Sequence, residues 1–168
     1  CSGIMFNHES PRRGENFVTQ KIVTDLSKVK LGLLDHIELG NLDAERDWGF
    51  AGDYVKAMYL ILSHSRPDDY VIATGKSHTV RDFVKEAAKN LGLKIKWRGQ
   101  DEKEEAVDNN GKILVKVNPI FYRPKELDAT FGDNAKARKI LGWRPKTKFA
   151  DLVNILMDFE LNNLGIKK

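Results

Sequence analysis

The chain has 168 residues, 41% of them hydrophobic and 31% charged, which suits one globular domain and excludes a disordered or collagen-like chain. Its net charge of +4 comes from 28 basic and 24 acidic residues that are interspersed, so no nucleic-acid partner is predicted, whereas small anionic ligands remain open. The single cysteine, Cys1, excludes an internal disulfide and fits a reducing cytoplasm. The longest apolar run, at 57–62, is far shorter than the roughly 20 residues that cross a bilayer, so no membrane partner is expected.

The first predicted element is an apolar strand over residues 1–6, expected to be buried, which leads into the polar loop NHESPRRG at 7–14. In open α/β sheets, ligands bind just beyond the carboxyl ends of the strands. Arginine offers a planar fork of donors to phosphate oxygens, and asparagine and histidine add neutral hydrogen bonds. On this stretch alone, a site for phosphates and sugar hydroxyls and an ordinary polar surface turn are equally open.

A buried strand at the first residues needs neighbouring strands, and this sequence does not evidently encode them. The chain also starts with cysteine rather than methionine. We therefore expect a fragment of a longer protein, although a free-standing module remains an alternative.

Apolar residues recur at helical spacing in four segments, which predict helices at 15–32, 52–65, 79–92 and 147–164. A short helix at 134–142 is predicted from an N-cap aspartate before it, basic residues in its last turn, and Gly142 and Pro145 as stop signals. Between them, strands are predicted at 36–40, 69–75, 93–99 and 112–118, and polar loops at 41–50 and 100–112. Thr79 and Asp82 match a capping box, and Asp133 is the predicted N-cap of the fourth helix. Strands alternating with helices indicate an α/β fold with a helical tail.

Two helices carry an apolar face that the spacing assigns to the core. In the second helix this face consists of Val55, Met58, Tyr59 and Leu62. In the last helix it consists of Leu152, Ile155, Leu156 and Phe159.

Two further segments hold candidate binding groups. Arg46 and Asp47 precede Trp48 and a helix; they form either a salt-bridged turn under the indole or a diphosphate site near the positive helix end. Arg123 lies on a segment stiffened by proline, and Glu126 can accept donors from a base edge such as that of guanine, or can cap or pair locally.

Several catalytic and metal-binding motifs are absent from the sequence. It contains no Gly-x-Gly-x-x-Gly, no Tyr-x-x-x-Lys and no Gly-x-Ser-x-Gly, and its four histidines lack metal-ligand spacing. We therefore predict binding groups with neither a catalytic centre nor a metal site in this chain.

Five segments occur in an order typical of one enzyme family: GIMFNHESPRRGENFVTQKI, LGNLDAERDWGFAGDYVKAMYLIL, DYVIATGKSHTVRDFV, YRPKE and GDNAKARKILGW. Over essentially all its residues the chain resembles the C-terminal half of GDP-mannose 4,6-dehydratases, which are extended short-chain dehydrogenases/reductases. The resemblance implies the NAD(P)-binding Rossmann-fold superfamily. It assigns 1–30 to the last strand and helix of the dinucleotide-binding domain and 31–168 to a substrate domain that binds a GDP-sugar.

The resemblance also implies a reaction. GDP-α-D-mannose is oxidised at C4 by hydride transfer to NADP, a proton is lost from C5, the C6 hydroxyl leaves as water, and the hydride returns to C6. The product is GDP-4-dehydro-6-deoxy-D-mannose, a precursor of GDP-fucose and other deoxysugars. The ketone at C4 acidifies C5, which is why a redox cofactor serves a net dehydration.

Individual positions acquire roles from the same resemblance. His8 and Arg13 match residues that contact NADP, and the loop with Arg12 and Arg13 matches a subunit contact in dimeric or tetrameric relatives. The positions that match GDP-mannose contacts are Asn7, Lys21, Arg46, Arg123 and Glu126. The family's nucleotide-binding glycines and its catalytic Thr, Glu, Tyr and Lys all lie upstream of this chain, so we expect the chain alone to be inactive. The alternatives are a sibling nucleotide-sugar epimerase or reductase and a non-catalytic sugar-nucleotide-binding module.

Overall fold

The computed structural model describes residues 1–122, 127 and 129–166. Within them the chain forms five α-helices: α1 Val18–Lys30, α2 Ala51–Ser63, α3 Val80–Asn90, α4 Ala135–Ile140 and α5 Phe149–Asn163. All five were predicted from the sequence, α4 from its start and stop signals and the other four from apolar periodicity. None of the helices in this part of the chain is both long enough and apolar enough to cross a membrane.

The strands in the described part of the chain have two to five residues each. They are β1 Gly3–Met5, β2 Asn7–Glu9, β3 Ile37–Leu39, β4 Glu45–Arg46, β5 Trp48–Phe50, β6 Tyr70–Ile72, β7 His78–Thr79, β8 Lys96–Arg98, β9 Glu105–Val107, β10 Ile113–Val117 and β11 Ala129–Thr130. Two short 3-10 helices lie at Asp101–Lys103 and Pro119–Phe121.

The strands pair into four small sheets. β1 pairs in parallel with β6, and β2 pairs in parallel with β5, so the chain changes partner at Phe6, whose N–H still donates to the Ile72 carbonyl. A four-stranded sheet has the order β3-β10-β9-β8, and a three-stranded sheet has the order β11-β4-β7. This arrangement brings the carboxyl ends of β2 and β3 to the N-terminal part of α1.

Two segments predicted as loops contain strands. Residues 41–50 include β4 and β5, and the acidic run at 100–112 includes a 3-10 helix and β9. These two- and three-residue strands are too short to show an alternation that can be recognised. β4 and β5 form because β11 and β2, which are distant in sequence, supply the hydrogen bonds, whereas β9 pairs with its sequence neighbours β8 and β10.

Several predicted faces are also wrong. Strand β1 is not buried within this chain, since Ile4 is 54% exposed. Helix α2 turns its predicted core face outward, with Tyr59 71% and Leu62 78% exposed. It buries Asp53 instead, whose carboxylate accepts the N–H groups of Lys146 and Thr147. A buried but satisfied carboxylate misleads any assignment that is based on hydrophobicity alone.

The ends and faces of the last two helices need smaller corrections. Helix α4 has Asn134 rather than Asp133 as its N-cap, because Asp133 lies one residue earlier and accepts the Ala135 N–H. In α5, Phe159 is 44% exposed and Ile155 only half-buried, because the helix turns a neighbouring stripe towards α1 and α3. That buried stripe is Leu152, Val153, Leu156, Met157 and Leu161. The predicted capping box of α3 is confirmed.

Two clusters of buried side chains form the core. The larger joins α1, α3 and α5 to the four-stranded sheet, and the smaller joins α2 to β6, α4 and Trp143. The Trp143 indole donates to the Asp53 carbonyl at 2.9 Å. Helix α1 therefore packs with elements that follow residue 30; the assignment of 1–30 to a dinucleotide-binding domain stays a prediction.

Candidate functional site

A cavity of about 560 Å³ lies where β2 and β3 end beside the N-terminal part of α1. Four of the seven predicted site residues line it: Asn7, Arg13, Lys21 and Arg46. Residues separated by up to 39 positions in sequence thus share one wall. We refer to this cavity as the cleft.

The alternation of β2 decides which of its side chains face the cleft. Asn7 and Glu9 line it, whereas His8 is not among the lining residues. The His8 ring stacks on Tyr54 with centroids 5.1 Å apart, and its Nδ1 lies 2.8 Å from the Phe6 carbonyl oxygen. A carbonyl can only accept, so Nδ1 carries the proton and Nε2 is the acceptor nitrogen of the neutral ring.

Arg13 is held on two sides. Its Nε lies 3.3 Å from Oε2 of Glu9, and its guanidinium lies 3.5 Å from the ring centroid of Phe17. Glu9 is 1% exposed and also accepts the Thr19 hydroxyl at 2.7 Å. Arg13 thus carries its charge at the surface of the cleft with its orientation restrained.

The other two cations come from separate elements. Lys21, on α1, donates to Asp25 at 2.8 Å and lies 5.3 Å from the Phe121 ring centroid. Arg46 donates through Nη1 to the Glu45 carbonyl at 2.7 Å and to the Leu127 carbonyl at 2.8 Å. Arg46 therefore also links β4 to the chain at Leu127.

Arg123 and Glu126, the remaining predicted site residues, lie outside the described residues. Phe121 lines the cleft and packs directly over Gly40: a Cβ at Gly40 would lie 2.5 Å from the Phe121 carbonyl oxygen. The contact explains why glycine ends β3 at this point, since any side chain would collide with main chain.

Sequence reasoning did not single out several residues that line the cleft. They are Glu9, Glu15, Asn16, Phe17, Glu38, Gly40, Asn41 and Phe121. Alternation with Asn7 was the signal that could have identified Glu9. Gly40 and Phe121 gave no such signal because their contact joins distant segments.

The sequence left open whether Arg46 and Asp47 form a salt-bridged turn or a diphosphate site, and the contacts of Asp47 settle its own part in this question. It is fully buried; Oδ1 accepts the N–H and hydroxyl of Thr74, and Oδ2 accepts the N–H groups of Gly75 and Gly132. Asp47 therefore organises the backbone, whereas Arg46 lines the cleft. Trp48 packs edge-on against Phe83 in the core.

Tyr54 presents a buried hydroxyl that has no hydrogen-bond partner within the described residues. Burial raises the pKa of Tyr54 well above its usual range, and the nearby carboxylates of Asp47, Asp53 and Glu9 raise it further. Because the folded protein disfavours the phenolate, Tyr54 favours folding below the unfolded pKa of about 10, and this contribution is lost as pH rises above it.

We expect Tyr54→Phe to flatten the alkaline loss of stability, as measured by urea unfolding between about pH 8 and pH 11. Near pH 8 the variant should be as stable as the wild type or up to about 1 kcal/mol more stable, because the hydroxyl has no partner to lose. Tyr59→Phe is the matched control, since Tyr59 lies on the same helix and is 71% exposed. The prediction would be contradicted if the free energy of unfolding of Tyr54→Phe fell with rising pH as steeply as that of the wild type.

No group of three or more His, Cys, Asp or Glu side chains suited to a metal ion occurs among the described residues. The charged side chains that line the cleft are the cations Arg13, Lys21 and Arg46 and the carboxylates Glu9, Glu15 and Glu38. Together with Asn7, they suit a ligand that carries both phosphate and hydroxyl groups.

The fold is shared with two solved structures that contain a nicotinamide cofactor. RMD from Pseudomonas aeruginosa, complexed with NADPH, matches with a TM-score of 0.78 at 18% identity, over 96% of this chain and 48% of its own. UDP-glucose 4-epimerase from Thermus thermophilus, complexed with NAD, matches with a TM-score of 0.69 at 23% identity, over 94% and 45%. These matches show that the chain shares the fold of these two proteins, in agreement with the predicted α/β class.

Comparisons of sequence identify the family of the chain, whereas the solved structures identify only its fold. The model of the family described as GDP-mannose 4,6 dehydratase matches residues 1–156. The GDP-mannose 4,6 dehydratase of Drosophila melanogaster is 49% identical over 164 residues, which cover 96% of this chain and 42% of the relative. That of Homo sapiens is 48% identical over 163 residues, which cover 95% and 44%. The chain, spanning less than half the length of these relatives, belongs to the GDP-mannose 4,6-dehydratase family.

Proposed function

We propose that this chain is the GDP-sugar-binding part of a GDP-mannose 4,6-dehydratase, a hydro-lyase that converts GDP-α-D-mannose to GDP-4-dehydro-6-deoxy-D-mannose and water. The observation that carries the proposal is the cleft at the carboxyl ends of β2 and β3, which is lined by Asn7, Arg13, Lys21 and Arg46. Family membership supplies the substrate class, and the cationic lining supplies a physical reason for it.

In this proposal, Lys21 and Arg46 bind the diphosphate and ribose, and Asn7 donates to the sugar-diphosphate. Arg123 and Glu126, which lie outside the described residues, are assigned to the ribose and the base. The carboxylate of Glu38 also lines the cleft and is available to accept hydrogen bonds from hydroxyl or amine groups of the ligand.

The proposed cofactor is NADP, which supplies reversible hydride transfer when bound. The residues present fit such a group. Arg13 carries a cation to the surface of the cleft, and its two Nη groups have no hydrogen-bond partner among the described residues. His8 offers Nε2 as an acceptor on the other face of β2. We assign the binding of the cofactor to these two residues.

We further infer that catalysis needs groups outside this chain, since it holds no Tyr-x-x-x-Lys to relay a proton at C4. The whole protein is proposed to be a cytoplasmic homo-oligomer, a dimer or tetramer, with the loop at Arg12 and Arg13 in the subunit contact. Residues 1–30 are proposed to belong to its dinucleotide-binding domain and 31–168 to its substrate domain.

The test is calorimetric titration of the purified chain with GDP-mannose, GDP and UDP-glucose, with and without NADP. Selective binding of the two guanosine ligands supports the proposal. Equal or tighter binding of UDP-glucose favours a sibling epimerase or reductase, and no binding of any ligand contradicts a working site in this chain. A coding sequence that continues upstream in frame into a Tyr-x-x-x-Lys separates the enzyme from a free-standing binding module.

Lys21→Ala is expected to weaken GDP binding by about tenfold or more, because a charge-assisted contact to phosphate contributes roughly 1.5–3 kcal/mol. Lys30→Ala is the matched control, since Lys30 ends the same helix, is exposed and does not line the cleft. Equal affinities of the two variants would place the phosphates away from Lys21.

A further inference from the structure

Glu9 is the most deeply buried carboxylate on the wall of the cleft. It ends β2, is 1% exposed, and uses one oxygen, Oε2, towards both the Thr19 hydroxyl at 2.7 Å and Arg13 Nε at 3.3 Å. A carboxylate removed from water in this way needs a compensating cation and donors. Because Thr19 belongs to α1, the position of the Glu9 carboxylate is fixed from two elements, β2 and α1.

This carboxylate determines which edge of the Arg13 guanidinium is available. A guanidinium can pair with phosphate side-on, through Nε and one Nη, or end-on, through both Nη groups. Nε of Arg13 is buried against Glu9, while the plane of the group rests on Phe17. Among the described residues, neither Nη group has a hydrogen-bond partner, and the side chain is 27% exposed. The end-on edge therefore remains for a ligand.

We propose that Glu9 is a positioning residue that blocks the side-on edge of Arg13 and presents its two Nη groups end-on to a phosphate of the proposed NADP cofactor at the surface of the cleft. The inference rests on the proposed function, which assigns Arg13 to a phosphate-bearing ligand. It adds a residue whose effect on binding passes entirely through Arg13. Glu9 itself makes no contact with the phosphate, because two anions would repel each other.

The first test observes Arg13 directly, by NMR of the arginine Nε–H signals in the ¹⁵N-labelled full chain. Arg13→Lys assigns the signal. Arg13 Nε is buried beside Glu9 without a hydrogen bond to it, so its protection from solvent depends on the ion pair that holds the guanidinium in place. Glu9→Gln keeps the size of the side chain and removes its charge, so we expect the Arg13 Nε–H to exchange with solvent at least about tenfold faster. Thr19→Val is the matched control: it removes the other partner of Glu9 and should change this exchange less. An unchanged exchange rate in Glu9→Gln overturns the proposal whether or not a ligand binds.

The second test is a double-mutant cycle with inorganic pyrophosphate as the probe, read by calorimetry. Glu9→Gln should weaken binding about tenfold in the wild-type background and have no effect when Arg13 is already alanine. Equal losses in both backgrounds would show a merely structural role and overturn the proposal, as would failure of the wild-type chain to bind pyrophosphate.

The outcomes separate this inference from the proposed function. A chain that selects guanosine ligands but shows no coupling between Glu9 and Arg13 overturns the positioning role and leaves the proposed function standing. A chain that shows the coupling but does not prefer guanosine over uridine ligands supports the positioning role and contradicts the proposed substrate.

Discussion

Asp47→Asn should lower the free energy of unfolding by about 3 kcal/mol, the largest effect that we expect from a single isosteric substitution in this chain. Both oxygens of Asp47 are in use, with three contacts of 2.7–2.9 Å and one of 3.3 Å to Thr74, Gly75 and Gly132. Asparagine has one acceptor oxygen, so in either orientation its amide N–H₂ group faces buried donors. Urea unfolding followed by tryptophan fluorescence measures the change, which corresponds to a fall of about 10 °C in Tm.

Asp35→Asn is the matched control for Asp47→Asn. It makes the same chemical change at an exposed position and should alter the free energy of unfolding by less than about 0.5 kcal/mol. A loss below about 1 kcal/mol for Asp47→Asn would mean that the three segments joined by Asp47 hold together without its charge.

Gly40→Ala is expected to damage binding and stability together. The new Cβ would lie 2.5 Å from the Phe121 carbonyl oxygen and 2.8 Å from its carbonyl carbon, which are main-chain atoms that cannot rotate away. The neighbouring Asn118 N–H is bonded to the Leu39 carbonyl at 2.8 Å, so the segment has little freedom to shift. We expect about 2 kcal/mol of destabilisation and roughly tenfold weaker binding of GDP, measured by urea unfolding and calorimetry.

Gly52→Ala is the matched control for Gly40→Ala, because it tests a collision of the new Cβ with a side chain instead of a collision with main chain. A Cβ there would also lie 2.5 Å from a neighbour, but that neighbour is the ring edge of Phe50, a side chain that can turn. We expect near-normal GDP affinity and a smaller change in stability for this variant. If Gly40→Ala binds GDP as tightly as Gly52→Ala does, the wall formed at Phe121 does not contact the ligand.

Helices α1, α2, α3 and α5 could be predicted because each has more than ten residues in which an apolar period can be read, whereas the six-residue α4 was predicted from its start and stop signals. The face of α2 could not, since its buried stripe contains Asp53, and the donors that satisfy that carboxylate come from Lys146 and Thr147, over 90 residues later. Strands of two or three residues, such as β4 and β5, have too short a pattern to be recognised, and they exist because distant partners pair with them.

The residues of the candidate site also differ in whether their role depends on neighbours in sequence or on a distant segment of the chain. The dense polar loop with Asn7 and Arg13 left a ligand site and a surface turn equally open, and the family resemblance supplied the expected roles of both residues. The structure brings them together with Lys21 and Arg46 in the cleft. Gly40 was missed because its role is defined by a chain segment 80 residues away. A cluster of polar side chains within one loop can be recognised in the sequence, whereas a close approach of two backbone segments can be recognised only in the folded structure.

The outward apolar face of α2 has a practical consequence for handling the isolated chain. Tyr59 and Leu62 lie on a helix that packs against β1, and within the described residues β1 pairs on one side only, with β6. An unpaired strand edge beside exposed apolar side chains is a template for self-association. Preparations at the high concentrations used for NMR should therefore scatter light increasingly with concentration, and replacing Leu62 with lysine should delay that onset without affecting the cleft.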